Sequence, residues 1–133
     1  MIGIDTNVLV RTFLEDDVAQ AKAAKDIMES SAKDGKLFIS SYAILEFVWV
    51  LKVKKIPRKE IYEAIIMLTD SPGVTIGQRD VVLAAAEKFI TGKADFGDYM
   101  ILSEGEKHGS KVLKTFDQAL LNEVHHGVPS EVH

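Results

Sequence analysis

The sequence predicts an α/β protein in which helices cover both faces of a parallel sheet. Short, continuous apolar segments alternate with longer segments of helical periodicity along the chain. This alternation is typical of parallel strands joined by crossover helices. The 133 residues are 47% hydrophobic and 27% charged, which suits one domain with a substantial buried core. We therefore expect residues 1–133 to form a single domain.

The first elements are read from apolar runs and their flanking polar residues. Met1–Ile4 is too short for a helix and predicts a buried strand. A helix is expected to start at Thr6 or Asn7, because either side chain can cap its first amides. Two aspartates then precede an alanine-rich helix over Val18–Lys33, which Gly35 is expected to close.

The central elements include the most apolar helix of the chain. Leu37–Ile39 predicts a second buried strand, and the two serines after it offer a cap for "YAILEFVWVLKV". This segment is apolar nearly all round, so we expect both of its sides to be buried, one of them by a second subunit. Pro57 then permits a new helix from Arg58 to Asp70.

The remaining elements repeat the alternation. Val74–Ile76 predicts a strand, and Arg79–Ile90 an amphipathic helix. Another helix is expected from Asp95 to near Gly109. The segment "KVLKTF" predicts a fourth strand that stops at Asp117, and the tail from about residue 127 is expected to be loose.

Composition excludes several classes of protein. The chain has no cysteine, so it can form neither disulfides nor thiolate metal sites. No apolar run approaches the roughly 20 residues of a membrane span, and no signal peptide is visible, so the protein is expected in the cytoplasm. A net charge of −4 argues against binding nucleic acid through a broadly positive surface.

The acidic residues of interest stand where a carboxylate does not help the fold. Asp5 and Asp117 follow apolar strands, and ligands of α/β sheets bind beyond the carboxyl ends of the strands. Glu46 lies inside the most apolar helix, where a buried charge would cost several kcal/mol unless it were paired or bound to metal. We therefore expect these three residues to face one crevice.

Asp95 and Asp98 are three residues apart and so share one helical face near a helix start. Asp95 is equally well explained as a simple helix cap. Several carboxylates together, without cysteine or a nearby histidine, indicate a site for Mg²⁺ or Mn²⁺. Such a site supports the hydrolysis of phosphodiesters. The four histidines, by contrast, are expected at the surface.

One short segment around Pro57 is strongly basic. Its members are Lys52, Lys54, Lys55, Arg58 and Lys59. Two interpretations stay open: a local site for RNA phosphates, or a solvated corner between two helices.

At these acidic residues the sequence resembles a known family, the PIN-domain ribonucleases, and within it the VapC-type toxins of toxin–antitoxin pairs. The resemblance runs along essentially the whole chain. It is carried by four motifs in order, "IDTNVLV", "ISSYAILEF", "ADFGDYMI" and "LKTFD". The four motifs together are specific to the family, whereas one alone would be weak.

The resemblance implies a function for particular residues. Asp5, Glu46, Asp98 and Asp117 match the family's catalytic, metal-binding acids, and Asp95 matches a frequent extra acid. Thr6, Asn7 and Thr115 match polar positions that support the site. The resemblance also implies a three-layer α/β/α sandwich and Mg²⁺- or Mn²⁺-dependent cleavage of RNA. A homodimer and an inhibitory VapB-like antitoxin are the expected protein partners.

Other families with an aspartate after the first strand fit less well. Actin-like ATPases need a longer chain and a glycine where Thr6 and Asn7 stand. Haloacid-dehalogenase-type phosphatases need a second aspartate at position 7, and response-regulator receivers need an acidic pair before the phosphoacceptor. The alternative that stays open is a PIN domain with idle acids, which only binds RNA or a protein.

Overall fold

A computed structural model describes residues 1–14, 16–122 and 130–131 of the chain. The chain folds into two compact units, a first unit of Met1–Arg79 and a second unit of Asp80–His133. The expected loose tail lies largely outside the described residues, as do His125, His126 and His133. His108 is exposed, as expected. Within the described residues, no helix combines the length and the apolar character that crossing a bilayer requires.

Strands and helices alternate as predicted. The helices are α1 (Thr6–Phe13), α2 (Val18–Lys33), α3 (Ser41–Val53), α4 (Arg58–Asp70), α5 (Arg79–Thr91), α6 (Phe96–Lys107) and α7 (Gln118–Leu121). The strands are β1 (Ile2–Gly3), β2 (Leu37–Ile39), β3 (Val74–Ile76), β4 (Leu113–Lys114) and β5 (Ser130–Glu131). Every strand pair among the described residues is parallel, which confirms the α/β class with a parallel sheet.

The first unit contains a three-stranded sheet in the order β1-β2-β3. In the central strand, Leu37 pairs with Ile2 on one side and with Val74 on the other. Leu37 and Ile39 are fully buried, as expected for a strand with neighbours on both edges.

The prediction that β1 is buried is wrong. Ile2 is 51% exposed and Gly3 is also exposed. The physical reason is position, because β1 is an edge strand of only two residues and pairs with β2 alone in this sheet.

The second unit contains β4, which is shorter than the predicted strand. Of the predicted strand, Leu113 and Lys114 form the β4 that the structure contains. They pair with β5 in a separate two-stranded sheet. Phe116, which the prediction included in the strand, is 74% exposed.

In the second unit, Lys107 of α6 forms an ion pair with Asp80 at the start of α5, at 3.1 Å. The hydrogen bond from Lys107 and that from the Val81 N–H lower the pKa of Asp80.

Local capping residues set several helix boundaries where the sequence predicted them. Asp17 accepts a hydrogen bond from the Gln20 N–H at the start of α2, and Ser40 accepts one from the Tyr42 N–H at the start of α3. Gly35 follows α2 with φ +68°, the left-handed conformation of a residue that closes a helix.

The prediction that α3 is buried on both sides is wrong for the chain by itself. One side carries Ile44 and Phe47, which are fully buried, and Phe47 packs against Phe13 of α1 with ring centroids 5.1 Å apart. The other side exposes Tyr42 and Trp49, although the apolar character of the whole segment predicted burial on both sides. Covering of that side by a second subunit stays a prediction.

The glycine at the turn before β3 lies close to the backbone of α2, and this contact can be tested by substitution. Gly73 has φ +77°, and a Cβ there would overlap the carbonyl oxygen of Ala32 in α2. We expect Gly73→Ala to lower the free energy of unfolding by roughly 2–5 kcal/mol, since left-handed strain costs ~1–2 and overlap ~1–3 kcal/mol. Urea denaturation measures the change.

Gly35→Ala is the matched control, because Gly35 also has positive φ but nothing lies within 4 Å of its added Cβ. This variant should be destabilised by only about 1–2 kcal/mol, from backbone strain. Equal destabilisation of the two variants would contradict a close approach between the β3 turn and α2.

Candidate active site

Asp5 lies at the junction between β1 and α1, where it caps the helix. Its backbone is extended, with φ −90° and ψ 175°, and its Oδ1 accepts a hydrogen bond of 3.2 Å from the Val8 N–H. The prediction that Thr6 or Asn7 caps this helix is therefore wrong. The side chain that reaches the third amide of the helix belongs to the residue just before its first turn, and that residue is Asp5.

Glu46 lies in the middle of α3, on the side that faces away from the core. The prediction of a buried carboxylate is wrong, because Glu46 is exposed. Its Oε2 accepts a hydrogen bond from the Thr6 hydroxyl, with 3.2 Å between the oxygens. Among the described residues, no basic side chain forms an ion pair with Glu46 or with Asp5. Both carboxylates thus keep oxygens that no cation of the described chain neutralises.

The Thr6–Glu46 hydrogen bond joins residues 40 positions apart. Because Thr6 is the first residue of α1 and follows Asp5 directly, this bond connects the start of α1 to the exposed side of α3. The resemblance assigned Thr6 a supporting role without naming its partner, and the structure identifies that partner as Glu46. Asn7, the other supporting residue of this segment, is exposed.

In the second unit, Asp95 and Asp98 lie at the start of α6 as predicted. Asp95 is the N-cap residue, and its carbonyl oxygen accepts hydrogen bonds from the Asp98 and Tyr99 N–H groups at 3.0 and 3.3 Å. Asp95 is exposed and Asp98 is half-buried. The buried Tyr99 hydroxyl accepts from the Ala94 N–H at 3.1 Å, which anchors the residue just before Asp95.

Asp117 follows β4 and caps the short helix α7. Its Oδ1 accepts a hydrogen bond of 3.0 Å from the Leu120 N–H. Its own N–H donates to the hydroxyl of Thr115 at 2.9 Å. Thr115 therefore holds the backbone of Asp117 at the turn after β4. This hydrogen bond explains how Thr115 can support the site, as the resemblance implied.

The candidate residues divide between the two units. Asp5, Thr6, Asn7 and Glu46 belong to the first unit, and Asp95, Asp98, Thr115 and Asp117 belong to the second. The structure joins Thr6 to Glu46 and Thr115 to Asp117. In residues 1–14, 16–122 and 130–131, no three histidine, aspartate or glutamate side chains are grouped so that they could hold a metal ion. Convergence of the four acids thus stays a prediction.

The basic segment lies at the end of α3, in the connection after it and in the first turn of α4. Its lysines are exposed and Arg58 is half-buried. Lys54 lies 3.8 Å from a carboxylate oxygen of Asp16, and this exposed pair contributes little to stability. Lys55 has φ +62°, at the turn between the two helices.

The chain belongs to the PIN domain family, because the family model matches residues 2–125. A comparison with curated proteins finds no match. PIN domains are generally nucleases that hydrolyse nucleic acids, and they typically use divalent metal ions. The predicted α/β PIN-like fold class is thereby confirmed.

The double role of Asp5, as helix cap and as candidate ligand, is separable by substitution. Asp5→Asn keeps an acceptor for the Val8 N–H, so its free energy of unfolding should stay within about 0.5 kcal/mol of wild type. Asp5→Ala removes the cap and should be destabilised by ~1 kcal/mol. Urea denaturation of both variants measures the difference. If Asp5→Asn lowers the free energy of unfolding as much as Asp5→Ala does, the charge of Asp5 rather than its hydrogen bond stabilises α1.

Proposed function

We propose that this PIN domain protein is a Mg²⁺- or Mn²⁺-dependent endoribonuclease, and that it is the toxin of a VapBC-type toxin–antitoxin pair. The observation that carries the proposal is the hydrogen bond between Thr6 and Glu46 beside Asp5. It links two of the family's motifs, "IDTNVLV" and "ISSYAILEF", through side chains that the fold does not need for its core.

Asp5 and Glu46 have the chemistry that a hard divalent cation requires. Both are exposed carboxylates, and the cap of α1 uses only Oδ1 of Asp5. Mg²⁺ commonly binds through one or two carboxylates and keeps several water ligands. These two residues therefore fit the ion that the family typically uses.

Asp98 and Asp117 are proposed to complete the catalytic set, with Asp95 as a further ligand. Their backbones are held by local hydrogen bonds at the starts of α6 and α7. Such local anchoring fixes the backbone from which each side chain would reach an ion, and the cap bond of Asp117 also restricts its side chain.

A bound divalent ion neutralises phosphate charge and lowers the pKa of an attacking water. Neighbouring residues of the chain hold the carboxylates that would bind this ion in position. Thr6 orients Oε2 of Glu46 through its hydroxyl, and the α1 cap restricts the rotamer of Asp5. In the reaction, the water oxygen forms a bond to phosphorus, the bond from phosphorus to one ribose oxygen breaks, and that oxygen gains a proton while the water loses one.

The basic segment is proposed to bind the RNA backbone. The residues are Lys52, Lys54, Lys55, Arg58 and Lys59. On a chain of net charge −4, this local cluster is the feature that favours contact with phosphates.

A homodimer and a VapB-like antitoxin are the proposed protein partners. Val53 at the end of α3 is 58% exposed, and Met67 of α4 is 55% exposed. Exposed apolar side chains on adjacent helices support a contact between copies of the chain. The antitoxin is proposed from the resemblance to VapC-type toxins.

The nuclease proposal predicts metal-dependent cleavage of RNA. Purified protein incubated with total RNA and Mn²⁺ should produce discrete ends, and EDTA should abolish them. Asp5→Asn and Asp98→Asn should each lower the rate by at least ~10²-fold, since each removes a ligand oxygen. Mapping of the cleaved ends by primer extension measures the activity.

Asp26→Asn is the matched control, because Asp26 is an exposed aspartate of α2 that pairs with Lys22. It should cut as fast as wild type. Equal cutting by wild type and Asp5→Asn would refute the assignment. RNA binding without cutting would favour the alternative of a PIN domain that only binds.

The dimer proposal predicts that a charge at Met67 separates the subunits. Light scattering should give a dimer for wild type at micromolar concentration and a monomer for Met67→Glu, because burying the new charge is unfavourable. Glu63→Gln, an exposed position on the same helix, serves as the control. A monomeric wild-type protein would contradict the proposal.

A further inference from the structure

One exposed stripe of α3 contains two aromatic residues on either side of Glu46. Tyr42, Glu46, Trp49 and Val53 follow one another at spacings of four, three and four residues, which places them on one face of the helix. We call these four residues the α3 stripe. Tyr42 is 74% exposed and Trp49 is 65% exposed. Their Cα atoms are about 10 Å apart along the helix axis, from a rise of ~1.5 Å per residue.

The two rings are exposed at a cost to the free chain. Each large aromatic side chain in water forgoes the favourable transfer of its apolar surface. Among the described residues, neither ring stacks on another aromatic side chain, in contrast to the ring pairs Phe13–Phe47 and Phe89–Phe96. Exposed aromatic residues around a candidate catalytic carboxylate indicate a surface that binds a ligand.

The carboxylate in the stripe argues against an apolar protein surface as the occupant. Glu46 lies between the two rings and has the Thr6 hydroxyl as its hydrogen-bond donor. A hydrophobic partner over this part of α3 would remove the charge from water, and a single neutral hydroxyl compensates only part of that cost. An occupant that leaves Glu46 in contact with water or a cation is favoured.

The charge next to the stripe favours a nucleic acid. Lys52, Lys54 and Lys55 follow directly at the C-terminal end of α3, and their side chains are exposed. A single strand of RNA offers both chemistries, because its bases stack on aromatic rings while its phosphates contact lysines. A base pair inside a duplex has both faces already stacked, so it cannot use the rings in this way.

We infer that Tyr42 and Trp49 are base-stacking residues that hold unpaired nucleotides on either side of Glu46. The inference rests on the proposed function in one respect, that Glu46 belongs to the nuclease site. The rings then position the nucleotides that flank the phosphodiester to be cut. Base stacking occurs without cleavage and is measured independently of it.

The single tryptophan of the chain makes the inference directly measurable. The full chain is titrated with a ten-nucleotide single-stranded RNA in EDTA, so that no metal-dependent cleavage occurs. Trp49 fluorescence should be quenched as the strand binds. The same RNA annealed to its complement should quench it at least ten-fold less effectively at equal concentration.

Variants separate ring stacking from charge. Affinity is measured with a fluorescein-labelled strand. Trp49→Ala and Tyr42→Ala should each raise the Kd by about ten-fold. Trp49→Phe should keep most of the wild-type affinity, because phenylalanine retains a ring face. Val18→Ala, at an exposed apolar residue of α2 that has no ring, should bind like wild type. The ring variants should leave unchanged the slope of the logarithm of the binding constant against the logarithm of salt concentration. The double variant Lys55→Gln/Lys59→Gln should reduce the size of that slope by ~0.7 for each phosphate that the protein no longer neutralises.

The outcomes distinguish this inference from the proposed function. Binding with Trp49 quenching but no cleavage in Mn²⁺ supports base stacking by the two rings and refutes the nuclease. Cleavage by wild type with unchanged binding in both ring variants refutes the inference and leaves the nuclease intact. Absence of strand binding by wild type, equal quenching by duplex, or a change of oligomeric state in Trp49→Ala would each overturn the inference.

Discussion

The first amides of a helix lack partners inside that helix, and three of the five candidate acids lie at helix starts, where this requirement is met. Asp5 and Asp117 satisfy it with their own side chains at the starts of α1 and α7. Asp95 occupies the corresponding position of α6, where its side chain makes no cap hydrogen bond. Three of the carboxylates that a nuclease would use are thus also residues that begin helices. A negative charge is favourable at the start of a helix, and a cap hydrogen bond restricts the motion of the side chain that makes it.

This double role affects how substitutions are interpreted. A decrease of activity in Asp5→Ala would combine a missing ligand with a damaged helix start, whereas Asn preserves the hydrogen bond to Val8. Glu46 differs, because it lies in the middle of α3 and contributes to no cap. The hydrogen bond of its side chain within the described chain comes from Thr6, so the position of its carboxylate depends on a contact between α1 and α3.

The two sides of α3 have different roles. Ile44 and Phe47 belong to the core of the first unit, and burial of their side chains stabilises the fold. Tyr42 and Trp49 gain nothing from that core, since their rings face away from it. The same helix therefore connects the packing of the first unit to the surface on which we infer that nucleotides stack.

The sequence by itself determined the order of the elements and most helix boundaries. Asp17, Ser40 and Asp95 lie where the helix starts were predicted, because a cap depends on residues within one turn. The α/β class followed from the alternation of apolar runs and helical segments, which is also a local pattern. The family was likewise identified from four short motifs and is confirmed over residues 2–125.

Only the tertiary structure decided which surfaces are exposed. An all-round apolar helix has no sequence pattern that identifies its outer side, so the exposure of Glu46 and Trp49 was not predicted. The exposure of β1 follows from its place at the edge of the sheet, and strand order depends on pairings between distant segments. The partner of Thr6 is 40 residues away for the same reason. Local chemistry sets where elements begin, and packing between elements sets which side chains they present to solvent.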